Sequence, residues 1–478
     1  MGFTSLAFLV FFPIVWLVYL MLPGRFRTVW LLAASYVFLG TFGTKYLAVL
    51  IGSTLVTWVA GLMLEKYGIT NGVKKAEAES KAMPEAGKSS ASEQKKSSLA
   101  TGVFVAVVGF HVAVLCFFKY NRSNIALPIG ISFYTFQAIG YLTDVYRGTV
   151  RAEHNLLNFA LFQAFFPKLV QGPIERSGNL LRQIQNIGTL PVWDPERIRR
   201  SALLLLWGLC EKLLIADRIA IPVNAVYSQF GAFGGVEIIL ATALYAFQIY
   251  CDFAGYTDMG RGIAGLLGFD LLVNFKRPYQ ADSVQDFWRR WHLSLSSFLR
   301  DYVYIPLGGS RRGRFRRAVN ILITFGVSGI WHGTGFHFLL WGLLHGIGQI
   351  FDIKNWKVPR AVKRVLIFLF VDATWMVFRV NSLGDLKGML RVILTNFRLQ
   401  DFAGMQLGSF EWVLLVFGIL AVIAKDVLNE KGFAFQSWIL ERNAVLRCLI
   451  YTALLGAVLI FGVYGAAYDT SGFLYTQF

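Results

Sequence analysis

Apolar runs of 15 to 25 residues recur along the whole chain, separated by short segments that carry most of its Lys and Arg. That pattern constrains the fold more than anything else here. A helix needs roughly 20 apolar residues to cross a bilayer, and only helices or closed barrels satisfy their backbone inside one. The runs fall at about 5–22, 28–43, 46–64, 100–118, 155–172, 201–220, 235–256, 318–334, 336–352, 363–379, 411–428 and 446–467. They predict an all-α polytopic membrane protein with about eleven spans, the shorter runs being re-entrant or intramembrane helices. Charged residues make up only 15% of the chain, against about 25% in soluble domains. Residues 5–22 lack the early basic residues and cleavage site of a signal peptide, so they read as a retained span.

Net charge is +18. Because the basic residues sit between spans and no groove-reading module accompanies them, they mark cytoplasmic loops rather than nucleic-acid binding. Arg25 and Arg27 occupy the first loop, Lys45 alone the second, and Lys74, Lys75, Lys81, Lys88, Lys95 and Lys96 lie in the third. This places the N-terminus outside a plasma membrane. No soluble domain fits between the spans, so residues 1–478 read as one membrane-embedded domain. Residues 69–98, rich in Ala, Ser, Lys and Glu, read as a polar cytoplasmic loop insertion. Cys116, Cys210, Cys251 and Cys448 form neither a CxxC pair nor a disulfide framework and read as packing residues.

The richest stretch is 286–317, with eight Arg against two Asp, running directly into an apolar segment that contains His332. If Arg317 marks the cytoplasmic edge, a continuous helix carries His332 about 22 Å deeper, past the midplane of a core about 30 Å thick. An ionisable ring at that depth faces protein or a water-filled cavity. It either hydrogen-bonds a neighbouring helix or acts as a general base. His337 and His345 follow at spacings that give no i, i+4 metal pair, and no metal site is expected.

Upstream, 281–309 predicts an amphipathic interfacial helix capped by Ser283, with Asp286 in its first turn. Trp288, Trp291, His292, Leu295 and Leu299 share its apolar side, and an ordinary membrane anchor explains His292 there poorly. The stretch 127–148 opens with Pro and Gly and carries Ser132, Tyr134, Thr135 and Gln137, which suggests a broken or re-entrant helix lining a cavity. Asp252 and Asp258, among small residues and tyrosines, are either an ion path or carboxylates hydrogen-bonded between helices.

Five stretches together resemble the membrane-bound O-acyltransferase family, and within it the bacterial alginate and peptidoglycan O-acetyltransferase branch. They are LPIGISFYTFQ (127–137), FFPKLVQGPIER (165–176), YCDFAGYTDMGRG (250–262), FWRRWHLSLSSFLRDYVYIPLGG (287–309) and GIWHG (329–333), and the closing GFLYTQF fits the same branch. The resemblance implies a ring of tilted helices around a central tunnel. It makes His332 the catalytic histidine and His292 a second functional position. It further implies transfer of an acyl group, acetyl in this branch, from a cytoplasmic thioester such as acetyl-CoA to a hydroxyl. The acceptor would be a cell-envelope polysaccharide or an extracytoplasmic partner protein of the SGNH acetyltransferase type, with no bound cofactor.

On that picture Arg289, Arg290 and Arg300 lie where an anionic donor would dock, and Trp331 and Tyr302 are candidates for the tunnel wall. Ser132, Gln137, Asp252 and Asp258 complete the candidate substrate residues. Within the family the alternative is D-alanyl transfer to teichoic acid. Outside it, Asp252, Asp258 and the broken helix would suit a secondary transporter, which usually shows paired repeats that are absent here.

Overall fold

The computed structural model describes residues 1–68, 97–120 and 127–464. Most of the expected loop at 69–98 and the closing GFLYTQF lie outside the described residues. Among those residues every regular element is helical. Five helices are long and apolar enough to cross a membrane, at Thr44–Tyr67, Ser98–Tyr120, Gly235–Leu266, Phe336–Asn355 and Ala444–Phe461, while the apolar Leu6–Met21 is shorter. The chain is a multi-pass membrane protein, and the count of about eleven spans stays an expectation.

The chain divides into two compact units. Residues 10–170 and 174–192 form the first, containing most of α1 (Leu6–Met21), with α2 (Gly24–Gly40), α3 (Thr44–Gly68), α4 (Ser98–Tyr120), α5 (Ile131–Arg147) and α6 (Leu156–Ala164). The expected break within 127–148 is absent. Gly130, at φ 74°, supplies the left-handed entry that a side chain would strain, and α5 then runs unbroken. The break comes instead in the run 155–172. Pro167 has no N–H for the carbonyl of Gln163, so α6 stops at Ala164. The buried Lys168 Nζ takes that carbonyl at 2.9 Å and also donates to Gln137 Oε1. Gln137 Nε2 in turn donates to Phe162 O at 2.7 Å. Gln137 therefore solvates a buried ammonium, and Ser132 is half-buried one turn upstream of it.

The second unit comprises residues 2–9, 171–173 and everything from 193 onward. Asp194 caps α7 (Pro195–Leu209), accepting from the amides of Glu196 and Arg197 at 3.0 and 3.1 Å, with Pro195 preset for the first turn. The chain continues through a π-helical segment, Cys210–Ala216, into α8 (Asp217–Ser228). The long α9 (Gly235–Leu266) lies against α7 where Gly208 meets Gly255. A Cβ on Gly208 would come within 2.5 Å of the Gly255 carbonyl, so the backbones touch there.

Beyond α9 the predicted amphipathic helix is split. Ser283 does cap it, accepting from Asp286 N at 3.0 Å, but α10 ends at Trp288 after five residues (Val284–Trp288). A second short helix, α11 (Leu293–Leu299), follows, then a π-helical turn, Arg300–Tyr304. The break has a backbone cause: Lys276 N donates to Arg290 O, and Leu293 N donates to Asn274 O, both at 2.9 Å. The expected inward side survives it, since Trp288, Trp291, His292, Leu295 and Leu299 are all buried.

Next, α12 (Gly313–His332) and α13 (Phe336–Ile350) form a tight hairpin. A Cβ on Gly329 would lie 2.4 Å from Phe338 O, and one on Gly342 would lie 2.2 Å from Phe325 O. The unit is completed by α14 (Arg360–Arg379), α15 (Leu383–Thr395), α16 (Ser409–Glu430), α17 (Phe435–Leu440) and α18 (Ala444–Phe461). Cys210 and Cys251 are buried packing residues, whereas Cys116 and Cys448 are exposed on helix surfaces.

Candidate active site

His332 is the last residue of α12, 4% exposed, and its position follows from the hairpin. Small residues at 329 and 342 let two backbones approach closely, and the helix ends against Phe338 of its partner. The imidazole sits in an aromatic box: Trp331 at 4.8 Å, Trp341 at 5.0 Å and Phe378 at 5.4 Å, all edge-on. Edge-on packing of this kind orients the ring.

His292 approaches from the other segment. It is 1% exposed and holds φ 42°, ψ 55°, a left-handed backbone that costs a non-glycine residue about 1–2 kcal/mol. Asn274 holds that conformation: its carbonyl accepts from Leu293 N, and its Oδ1 accepts from Ser294 N at 3.2 Å. The His292 ring stands edge-on to Phe253 at 4.7 Å and reaches Trp331 at 6.3 Å. The two histidines predicted from separate motifs thus meet the same indole, that of Trp331.

A cavity of about 710 Å³ is lined by their chain neighbours Leu293 and Ser328, while neither histidine nor Trp331 lines it. Arg317, Ile321, Thr324, Phe325 and Ser328 line it from α12, at intervals that mark a single helix face. From Arg317 to Ser328 that face runs about 16 Å, and His332 is the next residue on it, one turn further. Trp288, Leu293 and Leu299 supply apolar wall; Arg289, Arg300 and Tyr304 supply polar lining. Of the three arginines singled out from sequence, Arg289 and Arg300 line this cavity.

Arg290 does not. Its guanidinium forms a bidentate pair with Glu430 at 2.9 and 3.1 Å and bonds Asp286 at 2.9 Å. Arg277, Arg360 and Arg364 also approach Glu430, at 3.2, 3.6 and 3.6 Å. The hydrogen bonds from Arg290 hold the Glu430 carboxyl below its ordinary 4.5. Tyr302 packs against Phe298 at 4.7 Å with the rings tilted, and the tyrosine that lines the cavity is Tyr304, two residues on.

The carboxylates of α9 are engaged too. Asp252 pairs with Lys212 at 2.5 Å, and Asp217 pairs with the same ammonium at 2.8 Å, in a buried cluster between helices. Asp258 pairs with Arg261 at 3.0 Å and lines a separate cavity of about 290 Å³. Among the described residues, no group of three His, Cys, Asp or Glu could hold a metal ion. His345 is structural. Trp288 Nε1 donates to its Nδ1 at 3.2 Å, so the proton is on Nε2, which donates to Thr374 Oγ1 at 2.9 Å; that hydroxyl donates to Val371 O at 2.7 Å.

Sequence reasoning missed Asn274, Tyr304, Thr324 and Ser328. For Thr324 and Ser328 a signal existed: each stands one or two turns before His332 at helical spacing.

Fold and site define an all-helical membrane protein with two buried histidines that share one tryptophan, the second of them one helical turn beyond the lining of an arginine-bearing cavity. The profile of the membrane-bound O-acyltransferase family matches residues 149–353. A probable alginate O-acetylase of Pseudomonas putida is 33% identical over 444 residues, covering 88% of this chain and 86% of that protein. The peptidoglycan O-acetyltransferase of Helicobacter pylori is 29% identical over 444 residues, covering 81% and 79%. A teichoic acid D-alanyltransferase of Streptococcus thermophilus is 28% identical over 237 residues, 47% of this chain and 56% of that one. The chain belongs to the membrane-bound O-acyltransferase family, and it is an enzyme that transfers an acyl group to a hydroxyl.

Proposed function

We propose that this enzyme takes an acetyl group from a cytoplasmic acyl thioester, acetyl-CoA, and passes it across the membrane to a cell-envelope acceptor. The acceptor is a hydroxyl of a polysaccharide of the alginate or peptidoglycan kind, or an extracytoplasmic SGNH-type partner that relays the group onward. The observation that carries the reading is the single face of α12: arginine at the cavity mouth, apolar and hydroxyl-bearing wall inside, and His332 one turn beyond Ser328. The arginines suit the phosphates of the donor, and the apolar wall of Trp288, Leu293, Leu299, Ile321 and Phe325 suits its pantetheine arm. Acetyl rather than D-alanyl transfer is favoured because the acetyltransferase relatives align along most of both chains, whereas the D-alanyltransferase aligns along about half.

In the reaction His332 is the general base. Its imidazole takes the proton of the incoming hydroxyl as that oxygen attacks the thioester carbonyl carbon. The carbon–sulfur bond then breaks, and the thiolate recovers the proton from the imidazolium. His292, on the far side of Trp331, orients the acceptor or the thioester. Residues 1–478 act as one membrane-embedded domain with 69–98 as a cytoplasmic loop and the N-terminus outside. Arg25, Arg27 and the lysines of the third loop support that orientation.

A positioned base contributes about 10²–10⁴-fold. His332→Ala, inserted and folded, is therefore expected to lower acetyl transfer by about that factor. The acetyl-ester content of the envelope should fall to that of a deletion strain. A folded His332→Ala protein with wild-type transfer sinks the assignment. Release of D-alanine rather than acetate from the esters would move the chain to the other branch.

A further inference from the structure

Serine and threonine inside helices usually donate back to the carbonyl four residues earlier. Here Thr324 bonds Asn320 O at 2.7 Å, Thr242 bonds Ile238 O at 2.8 Å and Ser35 bonds Leu31 O at 2.7 Å. Ser328 departs from this. Its residue is fully buried, its hydroxyl has no hydrogen-bond partner among the described residues, and it lines the large cavity. A hydroxyl removed from water and left unbonded destabilises the fold, and alanine at this position would avoid that cost. Ser328 also stands four residues before His332, about 6 Å along the helix and on the same face. The other cavity-lining hydroxyl of α12, Thr324, is already committed to its own helix.

The geometry points to Ser328 as a catalytic hydrogen-bond donor to the thioester carbonyl oxygen of the bound donor. The inference rests on the acetyl-thioester reading above. As the acceptor oxygen bonds to the carbonyl carbon and its proton moves to His332, the carbonyl oxygen gains negative charge. The Ser328 O–H points at that oxygen and stabilises the charge until the carbon–sulfur bond breaks and the thiolate leaves. Ser328 itself makes and breaks no covalent bond. A donor fixed by a helix needs no reorganisation at the moment of reaction, and removing one such donor typically lowers turnover by about 10²–10³-fold.

The test uses the full chain in lipid nanodiscs with [¹⁴C]acetyl-CoA, following binding and acetyl release to a soluble glycan or to water. Ser328→Ala should lower kcat by about 10²-fold. KM for acetyl-CoA should change little, and the unfolding temperature should stay the same or rise, because no protein hydrogen bond is lost. Ser328→Thr keeps the hydroxyl and should keep most of the turnover. An alanine variant with wild-type kcat overturns the inference, as does a threonine variant as impaired as alanine. The two readings fail separately. A wild-type chain that neither binds nor turns over acetyl-CoA rejects the donor and, with it, the role of Ser328. An active wild type matched by Ser328→Ala rejects Ser328 alone.

Discussion

Gly329 lies three residues before His332 and bears a close backbone approach between α12 and α13. In Gly329→Ala the new Cβ would stand 2.4 Å from Phe338 O and 3.0 Å from Leu339 Cα. Both neighbours are backbone, so no rotamer change can make room. Ordinary contact begins near 3.4 Å, and the hairpin must part by about 1 Å. Such overpacking costs about 1–3 kcal/mol. The helix propensity of alanine returns up to about 1 kcal/mol, which leaves a net loss of about 0–2 kcal/mol. The effect on chemistry is larger, because misplacing a reacting group by about 1 Å can cost about 10²-fold.

The internal control is Gly326→Ala on the same helix. Its Cβ would meet only Leu339 Cδ1, at 3.8 Å, so the propensity gain stands alone. Acetyl transfer and thermal unfolding in detergent, measured on both variants, separate the two effects. Gly326→Ala should match or exceed wild type in both. Gly329→Ala should lose transfer far beyond its loss of stability. Equal behaviour of the two variants refutes the argument that backbone contact at 329 sets the position of His332.

Two further outcomes follow from buried polar geometry. Glu430→Gln removes the carboxylate that Arg290 grips bidentately and three other arginines approach, and should cost about 1–3 kcal/mol at neutral pH. Because the folded carboxyl titrates below 4.5, its stabilising effect is complete above that value and is lost as pH falls through the folded value. Unfolding temperatures across pH 3–7 should therefore fall less steeply at the acid end in Glu430→Gln than in wild type, and parallel curves contradict this. Thr374→Val strands the Nε2–H of His345 in a buried site, with an expected loss of about 1–3 kcal/mol and an unchanged KM for acetyl-CoA; a shift in KM instead would show that His345 acts on substrate.

Much of the site was legible along the chain because it depends on local periodicity. The periodicity of 317–332 calls for a continuous helix, and α12 is continuous over that interval. Ser283 as a cap and the buried side carrying Trp288, Trp291 and His292 were readable for the same reason. The split of that helix was not readable, because its cause, Asn274 and Lys276, lies well upstream and acts through backbone pairing. Nor could sequence separate Arg289 from Arg290. Both lie in the turn between α10 and α11, and the partner that claims Arg290, Glu430, is 140 residues away.

By itself, the sequence determined that this chain is helical, lies in a membrane, and carries a histidine within an apolar helix. Run length, loop charge and motif order suffice for that, since a bilayer accepts few solutions. Tertiary structure alone decided which polar groups are spent on one another and which remain for substrate. Asp252 and Arg290 are consumed by Lys212 and Glu430, whereas Ser328, which lines the cavity, has a hydroxyl without a hydrogen-bond partner among the described residues. In a low-dielectric interior a polar group binds whatever partner packing brings within reach. That partner is set by how helices distant in sequence meet.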